Sequence, residues 1–129
     1  VGDVAIVNTY YMGLMLHSSN KEERQVAGQM GVFFPNQDGR GAHMNISAAA
    51  IAKNAPNKEN AEKLISFFLR TDSQQLFAEV NHEYPVNSNT PWTELQKQWG
   101  VFKPDTIPLD QLTPHLSKAT RLFDEAGWK

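Results

Sequence analysis

Two phenols stand side by side in this chain, at Tyr10 and Tyr11. A phenol has a pKa near ~10 and keeps its proton at neutral pH, so only a hard, strongly polarising cation displaces it. Ferric iron fits that description, whereas zinc and copper recruit imidazole or thiolate. Two phenolates are too few for an octahedral Fe(III), so further ligands must come from elsewhere in the protein, from water or from a bound anion. Asn8 offers an amide nearby, and unpaired N–H groups at a helix start over residues 9–12 would receive phosphate or carbonate beside the metal. The competing reading is structural: one ring packs in a core, the other covers its edge, and Asn8 merely caps a helix.

Neighbouring side chains diverge by about 100° on a helix and 180° on a strand, so two phenols meet only where regular structure is interrupted. Residues 3–8 form a β-branched apolar run of the kind buried in parallel sheets, and residues 9–17 are too long and too rich in Met and Leu to continue it. A strand-to-helix junction therefore falls over residues 8–11. Ligands in open α/β sheets sit beyond the carboxyl ends of strands, which is where such a junction lies.

Downstream, residues 21–29 read as a polar helix and residues 31–35 as a second strand stopped by Pro35. Residues 36–41 have turn chemistry, and residues 43–53 suit a strand passing into small-residue packing. The remainder reads helical. Asn57 is placed to cap a helix with Ala61, Leu64, Ile65, Phe68 and Leu69 at helical spacing, and Asp72 with Gln75 resembles a capping box before Leu76, Phe77 and Val80. Residues 84–91 form a loop and residues 92–99 a short helix. Thr113 and Pro114 start a last helix with Leu116, Ala119 and Phe123 on one stripe and Gly127 as its stop. The expected fold class is α/β, with few strands at the N-terminal end and a helix-rich C-terminal half. Two or three strands are few for an open sheet, so the others must lie upstream of Val1 or come from a partner.

The 129 residues, 40% hydrophobic and 20% charged, suit one globular domain with a sizeable core. Cysteine is absent, which removes zinc-thiolate, iron–sulfur, disulfide and cysteine-nucleophile chemistry. Twelve basic and 14 acidic residues give a net charge of −2, scattered without long runs, so no basic field gathers a nucleic acid. Apolar stretches fall far short of the ~20 residues of a membrane span. The chain begins at Val1 with no initiator Met or signal peptide, as a cut end would. His17, His43, His82 and His115 form no helical ligand pair and read as structural, and residues 39–41 read as a surface turn. Neither a Gly-x-Ser-x-Gly nor a His-Glu-x-x-His pattern occurs, so the chain does not read as an enzyme.

The segments GDVAIVNTYYMG (2–13), GVFFPNQ (31–37), GAHMNIS (41–47), APNKENA (55–61), EYPVN (83–87) and LFDEAGW (122–128) resemble, in order, the C-terminal portion of the periplasmic ferric iron-binding proteins of bacterial ABC importers. One departure is Ala48, where glycine is expected. The resemblance implies a partial two-lobe, type II periplasmic-binding fold, with residues 1–30 in the ligand-bearing lobe and residues 31–129 carrying lobe-crossing strands and the C-terminal helices. It implies that Tyr10 and Tyr11 are the tandem iron ligands, that Asn8 helps hold a synergistic anion, phosphate or carbonate, and that residues 83–87 are a packing signature. It also implies a periplasmic location, a missing N-terminal half that supplies the remaining ligands, and delivery to an ABC permease in the inner membrane. Two other readings compete with iron. One is a protein of the same fold for a polyamine, thiamine or a phosphonate; the other is a structural or interaction fragment.

Overall fold

The computed structural model describes residues 3–128; Val1, Gly2 and Lys129, and with them the reading of Val1 as a cut end, lie outside the described residues. The described chain is built from helices α1 (Thr9–Leu16), α2 (Lys21–Ala27), α3 (Lys58–Phe68), α4 (Thr71–Val80), α5 (Glu94–Trp99) and α6 (Leu116–Glu125), with two 3₁₀ turns at Leu109–Gln111 and Thr113–His115. Among the described residues no helix is long and apolar enough to cross a membrane.

The helix-rich second half is as expected, but the three strand segments are not paired. Among the described residues the sole β pairing is an isolated parallel bridge between Ala42 and Pro104. A β-branched run favours extended backbone, but a strand also needs a neighbour to take its N–H and C=O groups. No described segment pairs with residues 3–8, 31–35 or 43–53, and their side chains stay open, with Val4 88% and Phe33 85% exposed. The core is correspondingly thin: the buried apolar side chains among the described residues are Met12, Ala27, Ala42 and Ala78. The length permits a larger one, so the shortfall reflects faces left uncovered rather than a lack of apolar residues.

Contacts divide the chain into two units, Val1–Phe34 with Asn45–Val101 and Pro35–Met44 with Phe102–Lys129. In the first, α1 packs on α2 and α3 on α4. On α4 the buried side chains are Ser73, Gln74 and Ala78, while Leu76 and Val80 are each 60% exposed. Gln74 gives the buried face a function, because its amide donates to the Phe68 carbonyl (2.8 Å) and accepts from Val86 N–H (2.8 Å). Asp72 does not cap α4: the cap position is Arg70, which pairs with Asp72 in the first turn at 2.7 Å. Asn57 occupies the cap of α3, but its side chain accepts no capping bond. A complete capping box does open α5, where Thr93 accepts from Gln96 N–H and the Gln96 side chain accepts from Thr93 N–H.

In the second unit, Gln37 accepts from Lys103 N–H at 2.7 Å, and Arg40 pairs with Asp105 at 3.2 Å. Thr113 and Pro114 open a 3₁₀ turn rather than α6 itself, which begins at Leu116. Gly127 stops α6 as expected. At φ 64 it allows Gly127 N–H to reach the Asp124 carbonyl and Trp128 N–H to reach the Phe123 carbonyl, and the Trp128 ring lies 6.0 Å from that of Phe123. This is the double-bonded left-handed cap with its accompanying apolar contact.

Candidate metal centre

Asn8 is extended (φ −74°, ψ 142°) and α1 begins at Thr9, so Tyr10 and Tyr11 fall in the first helical turn. The two rings do converge, with centroids 4.1 Å apart and planes inclined by 31°. Tyr10 is half-buried and Tyr11 is 49% exposed, so neither phenol is sealed in a core. The third tyrosine of the chain is the contrast. Tyr84 packs edge-on against Trp92 at 5.0 Å and beside Trp99 at 6.4 Å, and burial pushes its hydroxyl up to about 12. That phenol belongs to an aromatic cluster, unlike the part-exposed pair on α1.

The Tyr10 hydroxyl also holds its proton more tightly than an ordinary tyrosine. Its hydrogen bond with Tyr11 is the main cause, followed by desolvation and then by the charges of Tyr11 and Glu83. A cation binding here must therefore replace a proton as well as solvent, which selects for high charge density.

Three chain segments meet around this turn. The Asn8 side chain makes no capping bond; its Oδ1 accepts instead from Asn45 Nδ2 at 3.3 Å. Ser47 donates to the Glu83 carboxylate, and the Glu83 carbonyl accepts at 2.9 Å from Gln96, whose side chain is fully buried. Sequence reading singled out Tyr10, Tyr11 and Asn8, treated residues 83–87 as packing and assigned nothing to Asn45 or Ser47. These contacts span 36 and 37 residues, a separation that no local spacing announces.

A second contact missed in the sequence holds α1 in place. His82 follows the C-cap of α4 in the left-handed region (φ 59), and its ring stacks on that of His17 at 4.7 Å. His17 Nδ1 lies 2.9 Å from the Gly13 carbonyl, and a Cβ on Gly13 would sit 2.6 Å from His82 Cδ2. Gly13 thus lets a buried imidazole approach the helix that presents the tyrosines. Burial, and then the neighbouring His17, hold the His82 imidazole below its ordinary 6.5. The unfolded chain therefore takes up this proton at a higher pH than the folded one. The stability contributed by the neutral ring is complete above about pH 6.5 and is lost as pH falls from there through the lower folded-state value. Melting temperatures near pH 7.5 and pH 5.5 are expected to drop further for the wild type than for His82→Gln. Equal drops would remove the histidine pair from the pH response.

Among the described residues no group of three or more His, Asp or Glu is placed to hold a metal. The donors gathered here are phenolic, with an amide and a carboxylate behind them.

This arrangement, a helix-rich chain with few strands and a tyrosine pair at a helix start, is part of a type II periplasmic-binding fold. The chain superimposes on a Trichodesmium IdiA (FutA) protein solved with iron and citrate, with a TM-score of 0.87 and 41% identity over 95% of this chain and 39% of that one. It also superimposes on a ferric binding protein from Campylobacter jejuni, with a TM-score of 0.85 and 35% identity over 96% and 39%. In sequence it is 45% identical over 127 residues to iron uptake protein A1 of Synechocystis sp., covering 98% of this chain and 35% of the relative. It is 26% identical over 127 residues to the major ferric iron-binding protein of Neisseria meningitidis, covering 98% and 37%. No family model matches the chain. The chain is a homologue of these iron-uptake and ferric-binding proteins, and it corresponds to their C-terminal portion. It spans little more than a third of the length of the curated relatives it matches.

Proposed function

We propose that this chain supplies one side of a ferric-iron site, in which Tyr10 and Tyr11 bind Fe(III) as phenolates and Asn8 helps hold a synergistic anion. The observation that carries the reading is the convergence of two open phenols on the first turn of α1. Adjacent side chains on a helix normally point apart, yet these rings lie 4.1 Å apart and their hydroxyls are hydrogen-bonded, which supports one small cation reaching both oxygens. Fe(III) bound by two phenolates still carries positive charge, and an oxyanion beside the first amides of α1 neutralises it. Phosphate and carbonate are the candidate anions; the iron and citrate in the Trichodesmium relative support an oxyanion partner in general.

In this reading the remaining ligands come from an N-terminal half, and the extended segments 3–8, 31–35 and 43–53 pair with strands of that half. Lobe closure over the metal excludes water and strengthens the phenolate–iron attraction. Iron is the cargo, and the protein carries it through the periplasm to an ABC permease in the inner membrane, acting as a binder and not as an enzyme. Adding ferric citrate to the full-length protein is expected to produce a visible phenolate-to-Fe(III) charge-transfer band. If no band forms while a polyamine, thiamine or a phosphonate binds, iron is not the cargo.

A further inference from the structure

Asn8 can serve an anion only if its amide presents hydrogen rather than oxygen, and the structure contains a device that decides which. A backbone N–H can only donate, so the Asn45 side-chain atom that accepts from Ile46 N–H at 3.1 Å is its oxygen. The other end of the Asn45 amide is then NH₂, and it donates to Asn8 Oδ1 at 3.3 Å. With its oxygen engaged, Asn8 is left with its two N–H hydrogens, and no acceptor among the described residues takes them. The polarity of a peptide N–H is thereby relayed through two side-chain amides to the edge of the tyrosine pair.

We infer that Asn45 is a positioning residue for the anion: it locks the Asn8 amide with its N–H donors outward, ready for an oxyanion bound beside Tyr10 and Tyr11. The inference rests on the anion-assisted iron reading above and adds a residue to it. Asn45 and Ser47 lie two apart in one segment, which meets Asn8 through the first and Glu83 through the second. Ser47 is anchored on Glu83, whose carbonyl is held by buried Gln96, so Asn45 is offered to Asn8 from a fixed point. Without Asn45 the Asn8 amide is free to turn over, and an outward carbonyl oxygen would repel the anion it otherwise binds.

The test is Asn45→Asp in the full-length protein, with iron affinity measured in a non-coordinating buffer with and without inorganic phosphate. A carboxylate at position 45 accepts where the amide donated, so Asn8 turns its NH₂ inward. The expected result is a roughly tenfold loss of phosphate-supported affinity, the scale of one hydrogen bond to a charged group, with phosphate-free affinity and melting temperature unchanged. A purely structural role would move the melting temperature and both affinities together. Simple charge repulsion by Asp is separated by the cycle with Asn8→Ala: if Asn45 acts through Asn8, Asn45→Asp has no further effect in the Asn8→Ala background. An undiminished effect there, or unchanged phosphate dependence in the single variant, overturns the positioning role while leaving the anion reading intact. If Asn8→Ala itself keeps full phosphate dependence, the anion reading falls and the positioning role with it. Should Asn45→Asp fail to fold, Asn45→Leu removes the donor without adding charge, and a loss of a few fold confined to the phosphate-supported affinity is then expected.

Discussion

Replacing either Tyr10 or Tyr11 by phenylalanine in the full-length protein is expected to lower ferric affinity by more than a hundredfold, and replacing both to abolish the visible charge-transfer band. Losing a partner that merely orients a metal ligand costs ~10–100-fold, and losing the ligand itself must cost more. The substitution removes one oxygen and leaves the ring. Tyr11 is 49% exposed and the rings meet face to tilted face at 4.1 Å, so Phe keeps that contact and the melting temperature should move little. Tyr84→Phe is the matched control: it also deletes a phenol oxygen, but from the Trp92–Trp99 cluster, and it should leave the band in place. If the tyrosine pair were only packing, the Tyr10 and Tyr11 variants would keep both the iron affinity and the band. Because the Tyr10 proton is held tightly by its bond with Tyr11, iron uptake by the wild type should also release protons, measurable in a weakly buffered titration.

Gly41→Ala is expected to destabilise the unit formed by Pro35–Met44 and Phe102–Lys129 by about 3 kcal/mol or more. Gly41 lies at φ 100, where a side chain is strained, and a Cβ there would be 2.6 Å from the Lys103 carbonyl oxygen and from the Pro104 carbonyl. These are backbone atoms and cannot rotate aside. They also belong to the one bridge of the unit, in which Ala42 N–H donates to the Lys103 carbonyl at 2.9 Å and Asp105 N–H to the Ala42 carbonyl at 2.7 Å. Relieving the clash means separating these segments, so hydrogen-exchange protection at the Ala42 and Asp105 amides should vanish along with the lost stability. Gly39→Ala, two residues away, meets nothing nearer than 3.7 Å and should change stability by no more than about 0.5 kcal/mol. Equal losses in the two variants would mean that the close approach at Gly41 does not matter.

Much of the helical half is legible locally because its signals act over three or four residues. The Gly127 stop, the short helix ending at Trp99 and the start of α1 behind Asn8 all follow from such neighbours. Local signals mislead where two compete within one turn. Asp72 looks like a cap, yet the cap falls two residues earlier, at Arg70, which holds that carboxylate inside the first turn. Leu76 and Val80 are apolar, yet the face of α4 that turns inward is the one bearing buried Gln74, which ties together Phe68 and Val86. The strand runs mislead for a different reason. Val4, Ile6 and Val7 specify an extended, apolar segment, but a ladder requires a second backbone, and residue type cannot supply one.

The tyrosine pair divides along the same line. The sequence by itself determined that two adjacent phenols occur, that they fall where a helix begins, and that any metal they bind must be hard enough to displace a phenolic proton. Only the tertiary structure decided that the rings converge, that His82 packs on Gly13 to hold their helix, and that Asn45, Ser47 and Glu83 stand around them. Ligand chemistry is a property of single side chains and can be read from their identities. The direction in which an amide or a phenol points depends on hydrogen bonds and packing between residues dozens of positions apart, which exist only once the chain has folded.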